Sequence, residues 1–356
     1  MKSITFLLPG HGRKPIGGYK VVYEYANRLS KDGYIVHLVY PATVFFEKKP
    51  FLQKIRCILK YIYFILLGGY SGRRWFQLSP FIHEHLTWSL NEHSIPKTEY
   101  YVATAVETAI YLKKYNMPTQ KKLYLIQHYE NWSIPESLLR ETYRFGFKNI
   151  VIARWLQKIV EETGAPCYLI QNGFDFNFFQ KTIDYPQKDK FRISMLYHSS
   201  EWKGCKYGLE ALQIVKQKYP QLKAYLFGVP DAPSLPDWIE YYQQPDRETF
   251  NRIYNEAAIY LGPSLSEGWG LTVGEAMICG AAVVCTNNPG YLEMAIDKQT
   301  ALVSPIKDSE SLANNIIYLI ENDKERYRIA AAGHQYIQQF TWEKAYEKLQ
   351  RIIIEC

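Results

Sequence analysis

The sequence predicts a two-domain α/β protein with a parallel sheet in each domain. Its 356 residues are about twice the length of a typical domain. Short apolar runs alternate with helical patterns in both halves, which is typical of parallel sheets covered by helices. A turn signal, Asn172-Gly173, lies between the halves. We therefore expect domains at 1–172 and 173–340, followed by a C-terminal helix at 341–356.

The first half begins with a short apolar run that contains no charge after Lys2. This run is too short for a signal peptide and predicts a buried strand instead. One helix is predicted after it, because apolar residues recur at helical spacing from Val21 to Leu29, and Gly33 ends the pattern. The strands predicted in this half are 4–8, 35–40, 100–103, 123–127 and 150–153.

The second half repeats the alternation of strands and helices. Apolar runs predict strands at 193–197, 224–227, 258–261 and 282–285. Helical patterns are expected at about 204–218, 248–256, 271–279, 308–321 and 324–338, and a last helix is expected at 342–354. No short tandem repeat relates the two halves, so they share an architecture without a sequence period.

Composition limits the classes of function. The net charge of +7 favours an anionic partner, but motifs for nucleic-acid binding are missing from the sequence, and we expect no nucleic acid partner. The six cysteines form no Cys-x-x-Cys pair, which favours reduced thiols and a cytoplasmic protein. No apolar run is long enough to span a bilayer.

The stretch from Ser264 to Gly280 is the most informative part of the sequence. Glu267 and Glu275 bracket seven residues, of which three are glycines, and predicted strands lie on both sides. A glycine-rich loop that leads into a helix lets backbone N–H groups approach a phosphate. The two carboxylates would repel that phosphate, so sugar hydroxyls are their natural partners.

This pattern closely resembles the signature of glycosyltransferase family 4, in which two Glu residues flank a Gly-aromatic-Gly-Leu core. Here the core is Gly268-Trp269-Gly270-Leu271. The resemblance implies the GT-B architecture, with two Rossmann-like domains facing across a cleft, and a last helix that crosses back to the first domain. It also implies sugar transfer from a nucleotide-sugar donor with retention of configuration. The alternative is a glycine-rich turn with two solvated acids.

The resemblance assigns the donor diphosphate to several groups. Lys203, followed by Gly204, matches the Lys-Gly of the family. The family usually has an Arg five residues before this Lys, whereas this sequence has His198. Either His198 contributes more weakly than an arginine fork, or another base replaces it. The pair Gly17-Gly18 matches the loop that the family brings against the diphosphate from its first domain. Lys203 could also be a solvated lysine at a helix start.

Other residues are expected to orient the donor sugar and the nucleotide. Glu267 and His128 are assigned to the sugar, together with the loop amides after Gly268, although His128 could equally be a satisfied loop residue. The backbone from Trp269 to Thr272 is expected to stabilise the leaving diphosphate. The resemblance assigns Glu275 to the ribose hydroxyls. No residue stands out as a covalent nucleophile, and the resemblance implies a same-face substitution. No cofactor or metal is expected, because cationic side chains and helix dipoles can stabilise the leaving diphosphate.

The acceptor side is less defined in the sequence. Residues 48–74 contain seven Lys and Arg among apolar and aromatic residues. Such a segment could rest on an anionic membrane and admit a lipid-linked acceptor, or its apolar side could be core. The donor could be UDP-, GDP- or dTDP-linked, and the acceptor a glycan or a lipid-linked sugar of surface polysaccharide or glycolipid synthesis. Two alternatives remain, an epimerase or hydrolase of the same fold, and an inactive binding module.

Overall fold

The computed structural model describes residues 2–354, and Cys356, one of the six cysteines, lies outside this range. The chain divides into two compact units. The first contains residues up to Asn172 together with the segment from Glu343 onward, and the second runs from Gly173 to Trp342. Each unit has its own parallel sheet, because apolar strands alternate with helices along both.

The first unit contains a seven-stranded sheet. Its strands are β1 Ser3–Leu7, β2 Ile35–Pro41, β3 His83–Thr87, β4 Tyr100–Ala103, β5 Lys122–Ile126, β6 Lys148–Val151 and β7 Cys167–Leu169. All neighbours are parallel, in the order β3-β2-β1-β4-β5-β6-β7. Its helices are α1 Gly17–Lys31, α2 Phe51–Leu67, α3 Val106–Lys113, α4 Glu136–Tyr143 and α5 Arg154–Glu161, and α11 Trp342–Ile354 belongs to it from Glu343 onward.

The second unit contains a six-stranded sheet, also parallel throughout. Its strands are β8 Asp189–Tyr197, β9 Lys223–Gly228, β10 Ile239–Gln243, β11 Ala257–Gly262, β12 Ala282–Thr286 and β13 Ala301–Ser304, in the order β10-β9-β8-β11-β12-β13. Its helices are α6 Cys205–Lys218, α7 Arg247–Glu256, α8 Leu271–Ile278, α9 Ser309–Glu321 and α10 Asp323–Ile337. Fully buried side chains such as Ile193, Ile259 and Leu312 form its core.

Both sheets have a point where the strand order reverses. In the first unit it lies between β1 and β4, and in the second between β8 and β11. Loops that leave the two strands at such a point run in opposite directions and leave a crevice at the carboxyl edge, where open α/β sheets bind ligands. The predicted strands in both halves are present, each within a few residues of its expected bounds.

The helix α2 is oriented with its apolar side outward. Phe64 is its buried residue, at 3% exposure, whereas most of its large apolar side chains are exposed. These exposed residues are Phe51, Leu52, Ile55, Ile58, Leu59, Ile62, Tyr63, Ile65, Leu66 and Leu67. The alternative that this apolar side is core is therefore wrong. Within residues 2–354, no helix has both the length and the hydropathy needed to cross a membrane.

Candidate functional site

The predicted site residues of the second unit lie in the two loops at the reversal point of its sheet. One loop follows β8 and carries His198 and Lys203, and the other follows β11 and carries Glu267. Because β8 and β11 are neighbours in the sheet, residues separated by 64 positions in sequence come together. The predicted combination of this lysine and this carboxylate is thus formed within one unit.

Gly204 allows the first of these loops to lie against the second. Its φ angle is +61°, and a Cβ atom at this position would lie 2.0 Å from the carbonyl oxygen of Pro263. The backbone N–H of Leu265 donates to the carbonyl of Trp202 at 2.8 Å, which fastens the two loops together. Only glycine combines this backbone conformation with such a close approach. The Lys-Gly pair therefore has a structural cause, since the glycine positions the lysine before it.

Lys203 and Glu267 form an ion pair in which both carboxylate oxygens contact the ammonium. The Nζ atom of Lys203 lies 2.8 Å from Oε1 and 2.9 Å from Oε2 of Glu267. Their side chains are 22% and 13% exposed, respectively, so both charges can still be reached from solvent. The ammonium could transfer to an incoming phosphate, and the carboxylate could then accept hydroxyl groups.

A buried network of hydrogen bonds positions the Glu267 side chain. The hydroxyl of Ser264 donates to Oε1 of Glu267 at 2.7 Å and lies 3.0 Å from the hydroxyl of Tyr291, which donates to it. Asn288 donates to the carbonyl of Ser264 at 3.0 Å. A Cβ atom on Gly290 would lie 2.3 Å from the carbonyl of Glu267, so this turn also needs its glycine.

Sequence reasoning missed Ser264, Asn288 and Tyr291. Asn288 and Tyr291 lie 24 and 27 residues from Ser264 in sequence, and only the pairing of β11 with β12 brings these segments together. The nearest available signal was the turn at Pro289-Gly290, which the sequence marks without assigning it to Glu267.

The glycine-rich loop leads directly into α8. Gly270 precedes the helix with a φ angle of +91°, while Trp269 is 3% exposed and its ring lies 5.2 Å from that of Phe340. Leu271 and Thr272 open the helix and are partly exposed. The first N–H groups of a helix have no intrahelical acceptors, and the helix dipole favours an anion at this end. Together with Gly268, these residues can bind a phosphate through their backbone.

Glu275 lies deeper than a surface carboxylate. It is 4% exposed, and the buried hydroxyl of Tyr254 donates to its Oε2 at 3.2 Å. The preceding Gly274 packs against the ring of Phe174, which a Cβ atom would meet at 2.1 Å. Burial and the hydrogen bond from Tyr254 hold the Glu275 carboxylate in one position. Its assignment to the ribose hydroxyls stays a prediction.

His198 lies beside the ion pair in a neutral form. Burial lowers its pKa, as does the charge of Lys203, while Glu267 acts in the opposite direction. The backbone N–H of Ser200 donates to Nδ1 at 3.0 Å, so the neutral ring carries its proton on Nε2. His198 can therefore offer one neutral donor where the family usually has an arginine fork.

The remaining predicted residues lie in the first unit. Gly17 and Gly18 open α1, and the side-chain amide of Gln127 donates to the carbonyl of Gly18 at 3.2 Å. His128 follows Gln127, with its ring between those of Trp132 and Trp155, at 4.9 and 5.7 Å. The structure thus brings the glycine pair and His128 together at the carboxyl edge of the first sheet. Residues 2–354 contain no group of three or more His, Cys, Asp or Glu placed to hold a metal ion.

Two parallel α/β units, the second with a lysine, a carboxylate and a glycine-rich loop at the reversal point of its sheet, agree with the GT-B fold that the sequence predicts. Residues 179–336 match the family model described as "Glycosyl transferases group 1". The second unit therefore carries the match to this family.

Curated relatives support this classification. The phosphatidyl-myo-inositol mannosyltransferase of Mycobacterium tuberculosis is 24% identical over 208 residues, covering 54% of this chain and 55% of that protein. The match therefore spans about half the length of this relative. The enzyme of the same name from Mycobacterium leprae is 23% identical over 301 residues, which cover 78% of each chain.

A solved structure shares the fold over the whole chain. The crystal structure of Anabaena HepE in complex with UDP-glucose matches with a TM-score of 0.74 and 16% identity, covering 100% of each chain. At this identity the similarity shows the fold, and the GT-B prediction is confirmed.

Proposed function

We propose that this protein is a retaining, metal-independent glycosyltransferase of family 4 that transfers a hexosyl group from a nucleotide sugar to a lipid-linked or glycan acceptor. The observation that carries the proposal is the ion pair of Lys203 and Glu267, held at the reversal point of the group 1 domain beside the start of α8. A cation, backbone amides at the start of a helix and an acceptor of hydroxyl groups are what a sugar diphosphate requires.

The donor diphosphate would bind by replacing Glu267 as the partner of Lys203. Lys203 would leave its two bonds to Glu267 for the phosphate oxygens, and the amides from Gly268 to Thr272 would donate to the same group. Nε2–H of His198 would add a neutral hydrogen bond. Glu267, released from the lysine but still held by Ser264, would accept hydroxyl groups of the sugar. Glu275 would take the ribose hydroxyls.

Transfer would then proceed on one face of the sugar. The bond between the anomeric carbon and the phosphate oxygen breaks, the acceptor oxygen bonds to the same face, and the departing phosphate takes the acceptor's proton. Lys203 and the start of α8 would stabilise the charge that develops on the diphosphate, which removes the need for a metal ion. Gly17-Gly18 and His128 keep the roles predicted for them, toward the diphosphate and the sugar respectively.

The proposed donor and acceptor classes draw on the relatives. The M. tuberculosis protein is named for mannosyl transfer to a phosphatidyl-inositol, and the HepE structure contains UDP-glucose. Hexosyl transfer to a lipid-linked acceptor agrees with both, and the donor is UDP-, GDP- or dTDP-linked. Glycolipid or surface polysaccharide synthesis is the pathway class that such an acceptor supports.

The helix α2 supports a peripheral contact at the inner face of the cytoplasmic membrane, through the segment 48–74. Its apolar side is exposed, and the same segment has an excess of cations. Anionic lipid attracts such cations while the apolar side enters the interface. An acceptor embedded in that surface would then be presented to the first unit.

A panel of sugar nucleotides tests the proposal. We expect release of the nucleoside diphosphate only when a lipid-linked acceptor is added. NMR should show that the product retains the anomeric configuration of the donor. Release of free sugar, or an epimer, without acceptor would indicate a hydrolase or epimerase. Binding of the donor without any turnover, with all acceptors tried, would indicate an inactive binding module.

A further inference from the structure

The helix α2 has an inverted distribution of polar and apolar residues. Its apolar residues face away from the unit, whereas Gln53, Arg56, Cys57, Lys60 and Phe64 recur at intervals of three and four and so share one side. A helix on a protein surface normally directs its charges outward and its apolar side to the core. Here Gln53, Arg56 and Lys60 share a side with the buried Phe64, although their own side chains are exposed.

Two contacts fix that side against the carboxyl ends of β1 and β2. The thiol of Cys57 lies 3.6 Å from the hydroxyl of Thr43, in the loop after β2. The ring of Phe64 lies 5.2 Å from that of His11, in the loop after β1. The cationic residues of this side are therefore held over the loops at the carboxyl edge of the sheet, where ligands bind in this kind of fold.

A cavity of about 330 Å³ lies between the helix and these loops. Its walls include Gly10 and Thr43 from the loops, and Lys49, Gln53, Arg56 and Lys60 from α2 and the segment before it. None of the residues that line it is acidic. Among residues 2–354, no carboxylate lies within ion-pairing distance of the three cations.

The pKa values around the cavity agree with uncompensated positive charge. Burial lowers the pKa of Lys60, and the charge of Lys49 lowers it further, although Cys57 acts in the opposite direction. The pKa of His11 is lowered to about 4, by burial first and then by the charges of Lys60, Arg13 and Lys14. An anion between these groups would relieve their mutual repulsion.

We propose that Lys49, Gln53, Arg56 and Lys60 form a binding site for a phosphate group of the acceptor. The proposal rests on the proposed function, because it takes the ligand to be the acceptor of the transfer reaction. Three cations and an amide match the charge and the acceptor oxygens of a phosphate ester. The exposed apolar side of α2, directly opposite, would enter the lipid surface that carries such an ester. The phosphate could belong to a lipid headgroup or to a water-soluble sugar phosphate.

The test compares two double variants of the full chain that remove the same charge. Arg56→Gln with Lys60→Gln removes two cavity cations, and Lys48→Gln with Lys54→Gln removes two that do not line the cavity. Arg56 and Lys60 are exposed side chains, so the fold should persist, and circular dichroism and the unfolding midpoint check this. The probes are glycerol 3-phosphate, measured by calorimetry, and phosphatidylcholine vesicles with and without phosphatidic acid, measured by cosedimentation.

The cavity variant should bind about tenfold more weakly than the matched variant, since each lost cation removes a charge-assisted hydrogen bond. A difference with glycerol 3-phosphate supports the site with a soluble phosphate as sufficient ligand. A difference with phosphatidic acid vesicles alone supports it with a lipid headgroup as ligand. Equal losses in the two variants with both probes would overturn the site and leave only a diffuse surface charge.

These measurements do not depend on turnover. If the wild type transfers sugar but the two variants bind both probes equally, the phosphate site fails and the proposed function stands. If no sugar nucleotide binds but the tenfold difference is observed, the site stands and glycosyl transfer fails.

Discussion

At the scale of single residues, the proposed function rests on the Lys203–Glu267 pair. Exposed ion pairs contribute about 0–1 kcal/mol, and this pair, with side chains 22% and 13% exposed, lies between the exposed and the buried case. Its geometry, with both carboxylate oxygens on one ammonium, and its place at the reversal point of the sheet agree with the phosphate-binding role proposed for Lys203.

Replacing Lys203 by Ala should therefore lower turnover by about a hundredfold or more while shifting the unfolding temperature by only a few degrees. Steady-state kinetics and thermal unfolding measure the two effects. Lys218→Ala, which removes an exposed lysine 2.6 Å from Glu321 in the same unit, is the matched control and should leave turnover unchanged. Proportional losses of activity and stability at Lys203 would make it a structural residue.

The buried carboxylate of Glu275 permits a second test. Glu275→Gln keeps the shape of the side chain but removes its charge, so it should weaken nucleotide binding about tenfold without unfolding the domain. Tyr254→Phe removes the hydrogen bond to the same carboxylate and should have a smaller effect on binding. Unchanged nucleotide affinity of the Gln variant in calorimetry would rule out the ribose role.

A third residue-scale prediction concerns the histidines of β2 and β3. The pKa of His37 is lowered to about 4, by burial first and then by the neighbouring His85 and His83. An unfolded chain binds a proton here near pH 6.5 and the folded one near 4, so stability falls as the pH drops between those values. Allowing for the half-exposed ring, His37 should account for about 1–2 kcal/mol of this loss.

Denaturant unfolding at pH 7 and pH 4.5 checks this expectation. The His37→Gln variant should show a smaller drop in midpoint than the wild type. The same drop in both proteins would assign the acid sensitivity to other groups.

The sequence could identify the charged members of the site because their spacing around glycines is local. Lys203, Glu267 and Gly270 each stand in a short recognisable segment. The support beneath Glu267 could not be found this way, since Tyr291 reaches Ser264 only through the pairing of two strands. The burial of Glu275 also depends on Tyr254, which comes from a different helix.

At the scale of elements, strands with strong apolar runs could be predicted and the weaker ones could not. β3 reads His-Glu-His-Leu-Thr and lies at the sheet edge, where burial does not demand apolar residues. β7 has three residues and is also an edge strand. In both cases the pairing partner decides the conformation more than the local sequence does.

The turn at Gly204 should be more sensitive to substitution than other glycines with positive φ. Gly204→Ala adds a contact at 2.0 Å with a backbone oxygen to the strain of the left-handed conformation, and we expect a loss of about 3 kcal/mol or more. Gly33→Ala, at φ +83° with nothing within 4 Å, should cost only about 1 kcal/mol. Equal changes in the free energy of unfolding would contradict the role assigned to the contact.

The exposed side of α2 should govern membrane contact without governing the fold. Leu59 and Leu66 are 61% and 75% exposed, so replacing both by Ser should leave the unfolding midpoint within the range of surface substitutions. Vesicle binding should fall about tenfold or more, because each side chain would otherwise bury apolar area in the lipid. The matched control is Leu139→Ser, a buried position that should lose stability. Undiminished cosedimentation of the Leu59/Leu66 variant would argue against the helix as the membrane contact.

At the scale of the whole molecule, the first unit is built from two separate stretches of chain. From Glu343 onward, α11 is anchored to this unit by several contacts. The hydroxyl of Tyr346 donates to Asp32 at 2.8 Å, and Lys148 donates to the carbonyl of Ile352 at 3.0 Å. Leu349, Ile352 and Ile353 are buried.

Truncation after Trp342 should therefore destabilise the first unit while sparing the second. Losing several buried apolar side chains, each worth about 1.5–3 kcal/mol, is comparable with the whole stability of a domain. Hydrogen exchange should show lost protection in β6 and retained protection in β11. Continued protection of β6 would show that the first unit folds without this helix.

The discontinuity also sets an order of events during protein synthesis. The ribosome synthesises the chain from the amino terminus. The first 172 residues therefore emerge before α11, which packs on the same unit, has been translated. The second unit is continuous from Gly173 to Trp342, so all its strands and helices are available as soon as this stretch has been synthesised. The nascent first unit therefore exposes the surface that α11 covers until that helix leaves the exit tunnel, and chaperones have access to the surface during this interval.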